Sequence, residues 1–186
     1  VNSQSKVIYP RCFKGDIRKI YAQGEVFLEV AHDKKHPFIV ESDDFKLQVL
    51  GTKFNISNYK GGTTNIVLVE GAVEVTDKNE KKARLNPNDL LNIANGTIAY
   101  QKQVDVAEYI SWVEGIMLLN GNDLSQIIQR LSIYYGISIQ CDPIIGKEKV
   151  YGKLDLKDDI DEVIECIQQT LPFTIEKSDT SIYLSK

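Results

Sequence analysis

LQVLGTKFNISNY (residues 47–59) and NIVLVEGAVEV (residues 65–75) fall within one stretch, 45–75, whose reading decides the fold. Phe45, Leu47 and Val49 alternate with polar residues, the period of a half-buried strand. After Gly51 the apolar residues fall at Phe54 and Ile56, so the parity has changed. A slip of one residue turns every side chain to the other face, and the chain is therefore expected to bend or bulge at Leu50-Gly51. Glycine suits such a point because it accepts backbone angles that a branched residue cannot. The second segment repeats the device, with Val67 and Val69 expected to face inward before Gly71, and Val73 and Val75 after it. No catalytic residue type occupies these inward positions, so the stretch reads as architecture.

The flanking sequence extends the same texture. Residues 1–16 are polar, with Pro10 and Gly15 as breakers. Ile20, then Val26, Leu28 and Val30 beyond Gly24, make a third strand-glycine-strand unit, and HDKKHP (32–37) is a charged turn before the short strand Phe38-Ile39-Val40. Residues 77–82 read as a solvated hairpin loop, and Asn86-Pro87-Asn88-Asp89 as a turn. Asn95-Gly96, between apolar runs, is the strongest short-range signal of a two-residue hairpin. With about nine short strands and no convincing helix, residues 1–103 are expected to form a mainly β domain, an antiparallel sandwich or roll.

At Val104 the pattern changes. Asp105 and Glu108 have the spacing of a capping box, Val106, Tyr109, Ile110 and Val113 follow at helical spacing, and Gly115 ends the segment. Residues 104–115 are thus expected to be a connecting helix. From residue 116 the chain repeats itself at a shift of 36 residues: Leu118 falls on Leu154, Leu124, Ile127, Ile128 and Leu131 on Ile160, Val163, Ile164 and Ile167, and Ile137 and Ile139 on Phe173 and Ile175. Asp123 and Asp159 are expected to cap the two helices, with Gly136 and Pro172 ending them. Residues 116–186 are therefore expected to be a small α+β domain of order β-α-β-β-α-β-β, two strand-helix-strand copies closed by a hairpin over residues 177–180.

Composition narrows the function. The chain has 186 residues, 26% charged and 42% hydrophobic, with formal net charge −4. Without a cluster of Lys and Arg to displace counterions, binding to nucleic acid is not expected. No run of 18 apolar residues suggests a membrane span, and no contact of this chain with membrane is expected. The chain opens on Val1 and its one methionine is Met117, so it is expected to be part of a longer or processed protein. Cys12, Cys141 and Cys166 are widely spaced and lack a CxxC, which favours partly buried thiols over a zinc or redox site, with one disulfide conceivable in an oxidising compartment.

The chain is also poor in catalytic patterns. His32, Asp33 and His36 could ligate a metal if helical, but Lys34, Lys35 and Pro37 favour an exposed turn. Neither a phosphate-binding glycine loop nor G-x-S-x-G occurs. The acids Asp155, Asp158, Asp159, Asp161 and Glu162 sit at a helix start, where they complement the dipole. Tyr100, Tyr109, Tyr134, Tyr135 and Tyr151 could line a sugar-binding face, which makes a periplasmic carbohydrate-binding protein the alternative; an adhesin or pilus-like subunit is a weaker third. No enzymatic activity, catalytic residue, cofactor or metal is expected. Recognition by strand addition is, and Ser181, Ile182, Tyr183 and Leu184 are the expected protein-binding edge of the last sheet.

SKVIYPRCFKGDIRKIYAQGEVFLEVAHDKKHPFIVES (5–42), LGTKFNI, LVEGAVEV, LNPND and WVEGIMLLNGNDLSQIIQRLSIYYGISI (112–139), in this order, resemble FecR-type transmembrane anti-sigma regulators through nearly the whole chain. The last block resembles the C-terminal module of these proteins, itself similar to the short N-terminal domain of secretins and TonB-dependent transporters. The resemblance implies the periplasmic sensory part of a regulator anchored in the inner membrane. Its implied partners are the signalling domain of an outer-membrane TonB-dependent transporter and, through a cytoplasmic segment absent here, a cognate sigma factor. Family members open their β domain with a further strand pair around a PDGT-like turn, which does not precede the YP segment here. The β domain is therefore expected to be truncated at its N-terminus and to carry an exposed sheet edge.

Overall fold

Gly24, Gly51 and Gly71 mark the places where the chain passes between the two halves of one rolled sheet. This follows from the computed structural model, which describes residues 1–178 and 180–186 and divides into two compact units, Val1–Ile110 and Ser111–Lys186. The first unit holds ten strands: β1 (Lys6–Ile8), β2 (Arg18–Val30), β3 (Phe38–Glu41), β4 (Phe45–Val49), β5 (Thr52–Asn58), β6 (Thr64–Glu70), β7 (Val73–Asp77), β8 (Lys82–Leu85), β9 (Asp89–Ala94) and β10 (Thr97–Gln103). Their order is β10-β9-β6-β5-β2-β3-β4-β7-β8, with β1 on β2. The start of β2 pairs with β1 and β3, and from Gly24 onward β2 pairs with β5. One apolar cluster draws on both halves, including Ile20, Val40, Leu47, Phe54, Ile66, Val75 and Leu91. The expected β sandwich or roll is therefore present, antiparallel except where β3 runs parallel to β2.

The parity change at Gly51 is a corner. β4 pairs with β3 and β7, whereas β5 pairs with β2 and β6. At Gly71 the chain returns from β6 to β7, and the two corners touch: a Cβ on Gly71 would lie 2.8 Å from the Gly51 carbonyl oxygen. The hairpin at Asn95-Gly96 has φ of 51° and 73°, the left-handed pair of a tight type I′ turn.

Four expectations for this unit need correction. Lys6–Ile8 is a strand, although its surroundings are polar, because it completes a ladder with Tyr21, Ala22 and Gln23. Before Gly71 the residues in the shared core are Ile66 and Leu68; Val67 is buried outside that cluster and Val69 is only half-buried. A bulge pairs Lys53 with Glu70 and Phe54 with Leu68, which leaves Val69 without a partner and shifts the phase. Asp77 is buried rather than solvated: its carboxylate accepts from the backbone N–H of Asn79, Lys81 and Ile98. The connecting helix is a single turn, α1 (Ala107–Ile110), continued by 3-10 helix over Ser111–Glu114.

The second unit contains β11 (Ile116–Asp123), α2 (Leu124–Tyr135), β12 (Ser138–Cys141), β13 (Lys149–Asp155), α3 (Ile160–Gln168), β14 (Thr174–Lys177) and β15 (Ser181–Ser185). Its core has contributions from both copies: Ile127, Ile128 and Leu131 of α2, and Val163, Ile164 and Ile167 of α3. The 36-residue correspondence holds through the helices but fails in the strand before the first. Met117 and Leu119 are buried while Leu118 is only half-buried, because a bulge at Gly121, φ +75°, shifts the phase of β11 against β13. The strands form two sheets rather than one, antiparallel β11-β13 and β12-β15-β14. Gly136, φ +70°, stops α2 as expected. Asp159 caps α3 through Asp161 and Glu162 N–H, but Asp123 makes no cap and instead pairs with Lys149 at 3.0 Å. The expected turn over 177–180 includes Asp179, which lies outside the described residues.

Candidate interaction surfaces

Several of the titratable residues singled out in the sequence are engaged locally. In the loop before β3 the Asp33 carboxylate accepts from His36 Nδ1 at 2.7 Å and from the Lys35 and His36 backbone N–H groups. The His36 contact in particular holds the Asp33 carboxyl below the usual carboxylate range. His32 packs instead against Gly51, where a Cβ would lie 2.5 Å from its Cα. Among the described residues, no group of three His, Cys, Asp or Glu side chains is placed to hold a metal ion. Of the acids near α3, Asp155 accepts from Lys157 N–H, Asp159 caps the helix and Asp161 pairs with Lys177 at 2.7 Å. Cys12 and Cys166 are exposed free thiols, and burial pushes the Cys141 thiol up.

Of the tyrosines expected to line a sugar-binding face, Tyr134 and Tyr135 are partly buried, whereas Tyr100 and Tyr151 are exposed. Tyr134 and Tyr135 pack edge to face, 5.1 Å between ring centroids, against the core of the second unit. Tyr135 Oη donates to the carbonyls of Leu156 and Asp158, and its pKa is pushed up to about 12, chiefly by burial. Tyr151 is exposed, lying over Gly121. The first unit has an open groove of about 580 Å³ lined by Tyr21, Asp43, Asp44, Glu74, Lys78 and Lys82, among others. Two ion pairs cross it, Lys78 to Asp44 at 2.7 Å and Lys82 to Glu74 at 2.9 Å, so it offers a charged surface.

Ser181, Ile182, Tyr183 and Leu184 lie in β15, which is the central strand of its sheet. They pair with Ser138, Ile139, Gln140 and Cys141 on one side, while Ile182, Tyr183 and Leu184 pair with Lys177, Glu176 and Ile175 on the other. The expected free edge is therefore not on this strand. A terminal hairpin leaves its last strand open only if nothing returns to its far side, and β12 does so in parallel.

The free edges of this sheet belong to β12 and β14, and they differ. On β12 the Ser132 hydroxyl from α2 accepts from Ile139 N–H at 3.0 Å and donates to the Ile139 carbonyl at 3.2 Å. On β14, Ser178 N–H donates to the Ser181 carbonyl, so by the antiparallel alternation Glu176 and Thr174 turn their backbone groups to β15. Those of Ile175 and Lys177 point outward, and among the described residues no backbone partner lies on that side. In the other sheet β11 is bulged and Asn122 Oδ1 accepts from Asn120 N–H, while β13 carries Lys149, Lys153 and a distorted Gly152 with φ +133°. Bulges and lysines are ordinary blocks to strand addition.

Comparison with known families gives two matches along the chain, FecR protein over residues 1–74 and FecR, C-terminal, over residues 116–184. Two crystal structures of a candidate anti-sigma factor from Parabacteroides distasonis are similar throughout. Each is 30% identical and covers all of this chain and 88% of its own, with TM-scores of 0.85 and 0.83. No curated protein matches.

Proposed function

The chain belongs to the FecR family of anti-sigma regulators, and on that premise we propose that it is the periplasmic sensory part of such a regulator, which binds the signalling domain of an outer-membrane TonB-dependent transporter and relays the signal across the inner membrane. The observation that carries this reading is that both units resemble FecR parts in the family's own order. The family is one of regulators rather than catalysts, and the local engagement of Asp33, His36, Asp159 and Asp161 agrees with that. No helix among the described residues is long and apolar enough to cross a membrane. Residues 1–103 would be the FecR-like β domain, 104–115 the connection and 116–186 the signalling module. A cognate sigma factor would be reached through a cytoplasmic segment outside this chain. The carbohydrate-binding alternative is weakened by Tyr134 and Tyr135, which are partly buried against the core of the second unit.

Calorimetric titration of the chain with the signalling domain of the transporter encoded beside its gene tests the proposal. Saturable one-to-one association is the expected result, and absence of association overturns it.

A further inference from the structure

We infer that the outer side of β14, with the acidic stripe of α3 beside it, is a seat for an extended basic segment that joins the sheet as a fourth strand. That a transporter signalling domain supplies this segment rests on the proposed function; the strand addition itself does not.

The duplication provides an internal control. Position for position, Ile175 corresponds to Ile139, and Gln168 to Ser132, 36 residues earlier. In the first copy Ser132 closes the edge by bonding both backbone groups of Ile139. In the second copy the longer Gln168 reaches the Phe173 carbonyl instead, at 2.6 Å, before β14 begins. The backbone of Ile175 and Lys177 is thereby left open. Burial follows the same asymmetry, with Ile139 at 6% exposure while Ile175 is only partly covered by the core. An apolar residue on an added strand would complete that cover.

Charge distinguishes the copies as well. Asp161 touches Lys177, and Gln168 touches Phe173, so α3 runs alongside β14 with Glu165 between them on the same stripe. Asp161, Glu162 and Glu165 are exposed, and Glu176 of β14 is exposed too. Their counterparts on α2 are Ser125, Gln126 and Gln129, all uncharged. One edge is thus capped and neutral, the other open and acidic, with Lys177 as the acidic edge's single lysine. Lys or Arg flanking an apolar residue is the side-chain pattern this edge accepts, while the backbone ladder supplies affinity without regard to sequence.

The test uses the whole chain and a synthetic peptide of alternating Lys and Val, followed by amide NMR. Shifts centred on Ile175 and Lys177 are expected. Lys177→Pro removes an outward N–H but no bond to β15, and should weaken binding about tenfold. Lys177→Ala keeps the outward N–H and removes a like charge, so it should bind at least as tightly as the parent. Glu165→Lys lies on an exposed helix face and should weaken binding and reduce its salt dependence. Shifts that map elsewhere, or their absence, overturn the inference, as does unchanged affinity in both Lys177→Pro and Glu165→Lys. In a parallel titration with the signalling domain, binding that is lost in Lys177→Pro supports this edge as the docking surface. Binding that is equal in that variant overturns the docking role and spares the proposed function. Peptide binding without domain binding overturns the proposed function and spares the edge.

Discussion

Gly71 has φ +94°, and a Cβ there would meet both the Gly51 carbonyl oxygen and Thr52 Oγ1, the latter at 2.9 Å. The Thr52 hydroxyl also donates to the Ala72 carbonyl at 3.0 Å, so the two corners are joined side by side. Gly71→Ala adds a left-handed non-glycine residue and an overpacked contact, and should cost about 3 kcal/mol in urea unfolding of the β unit. The glycine's importance was legible because it interrupts an alternation; that Val69 would bulge was not, because the bulge depends on which strand lies opposite. Asp77 shows the same limit. It reads as a loop residue, yet the Ile98 N–H, 21 positions away, reaches its carboxylate and holds the carboxyl below the usual range, with Lys81 and Asn79 N–H assisting. The folded state therefore favours the ionised form more than the unfolded chain does. Its contribution is whole above about pH 4 and is lost as pH falls through the depressed value. Asp77→Asn should lower the melting temperature at pH 7, and the difference from the parent should shrink as the pH falls through the depressed value.

Helices show what a duplicated pattern reveals and what it conceals. Equal spacing of Asp123 and Asp159 ahead of their apolar stripes suggests equal caps, but Lys149 on β13 draws the Asp123 carboxylate away. Asp159→Ala should thus cost about 1 kcal/mol of stability, the value of a true N-cap, and Asp123→Ala should cost clearly less. Both can be read from chemical unfolding of the second unit. The order of elements here was legible from the period of the apolar residues. Sheet membership was not, because a four-residue strand does not reveal its neighbours, and so β15 was read as an edge when it is a centre. Ser132 was equally hidden: on a helix it looks like an ordinary polar residue, and only the packing of α2 against β12 brings its hydroxyl to Ile139. Ser132→Ala should cost about 1–2 kcal/mol and speed hydrogen exchange at the Ile139 amide, with the amides of β14 unaffected.

At the scale of the chain, the two apolar cores share no residue: every member of one lies in Val1–Ile110 and every member of the other in Ser111–Lys186. In the sequence, period-two alternation gives way to helical spacing near Val104, and a strand pattern and a helix pattern need different partners to bury them. Family order was legible for a different reason, namely that glycine corners and turn residues are required by the geometry of the roll and stand out in the sequence. Two separate cores imply two cooperative transitions. Leu47 and Ile127 are both fully buried, one in each core, and truncating either to alanine should cost about 2–5 kcal/mol. Leu47→Ala should lower only the transition of the β unit and Ile127→Ala only that of the duplicated unit, followed by calorimetry or urea titration with residue-level exchange. A single transition displaced equally by both substitutions would mean that the units fold as one. The sensory reading would then have to carry its signal through a rigid body, not through two domains that can respond separately.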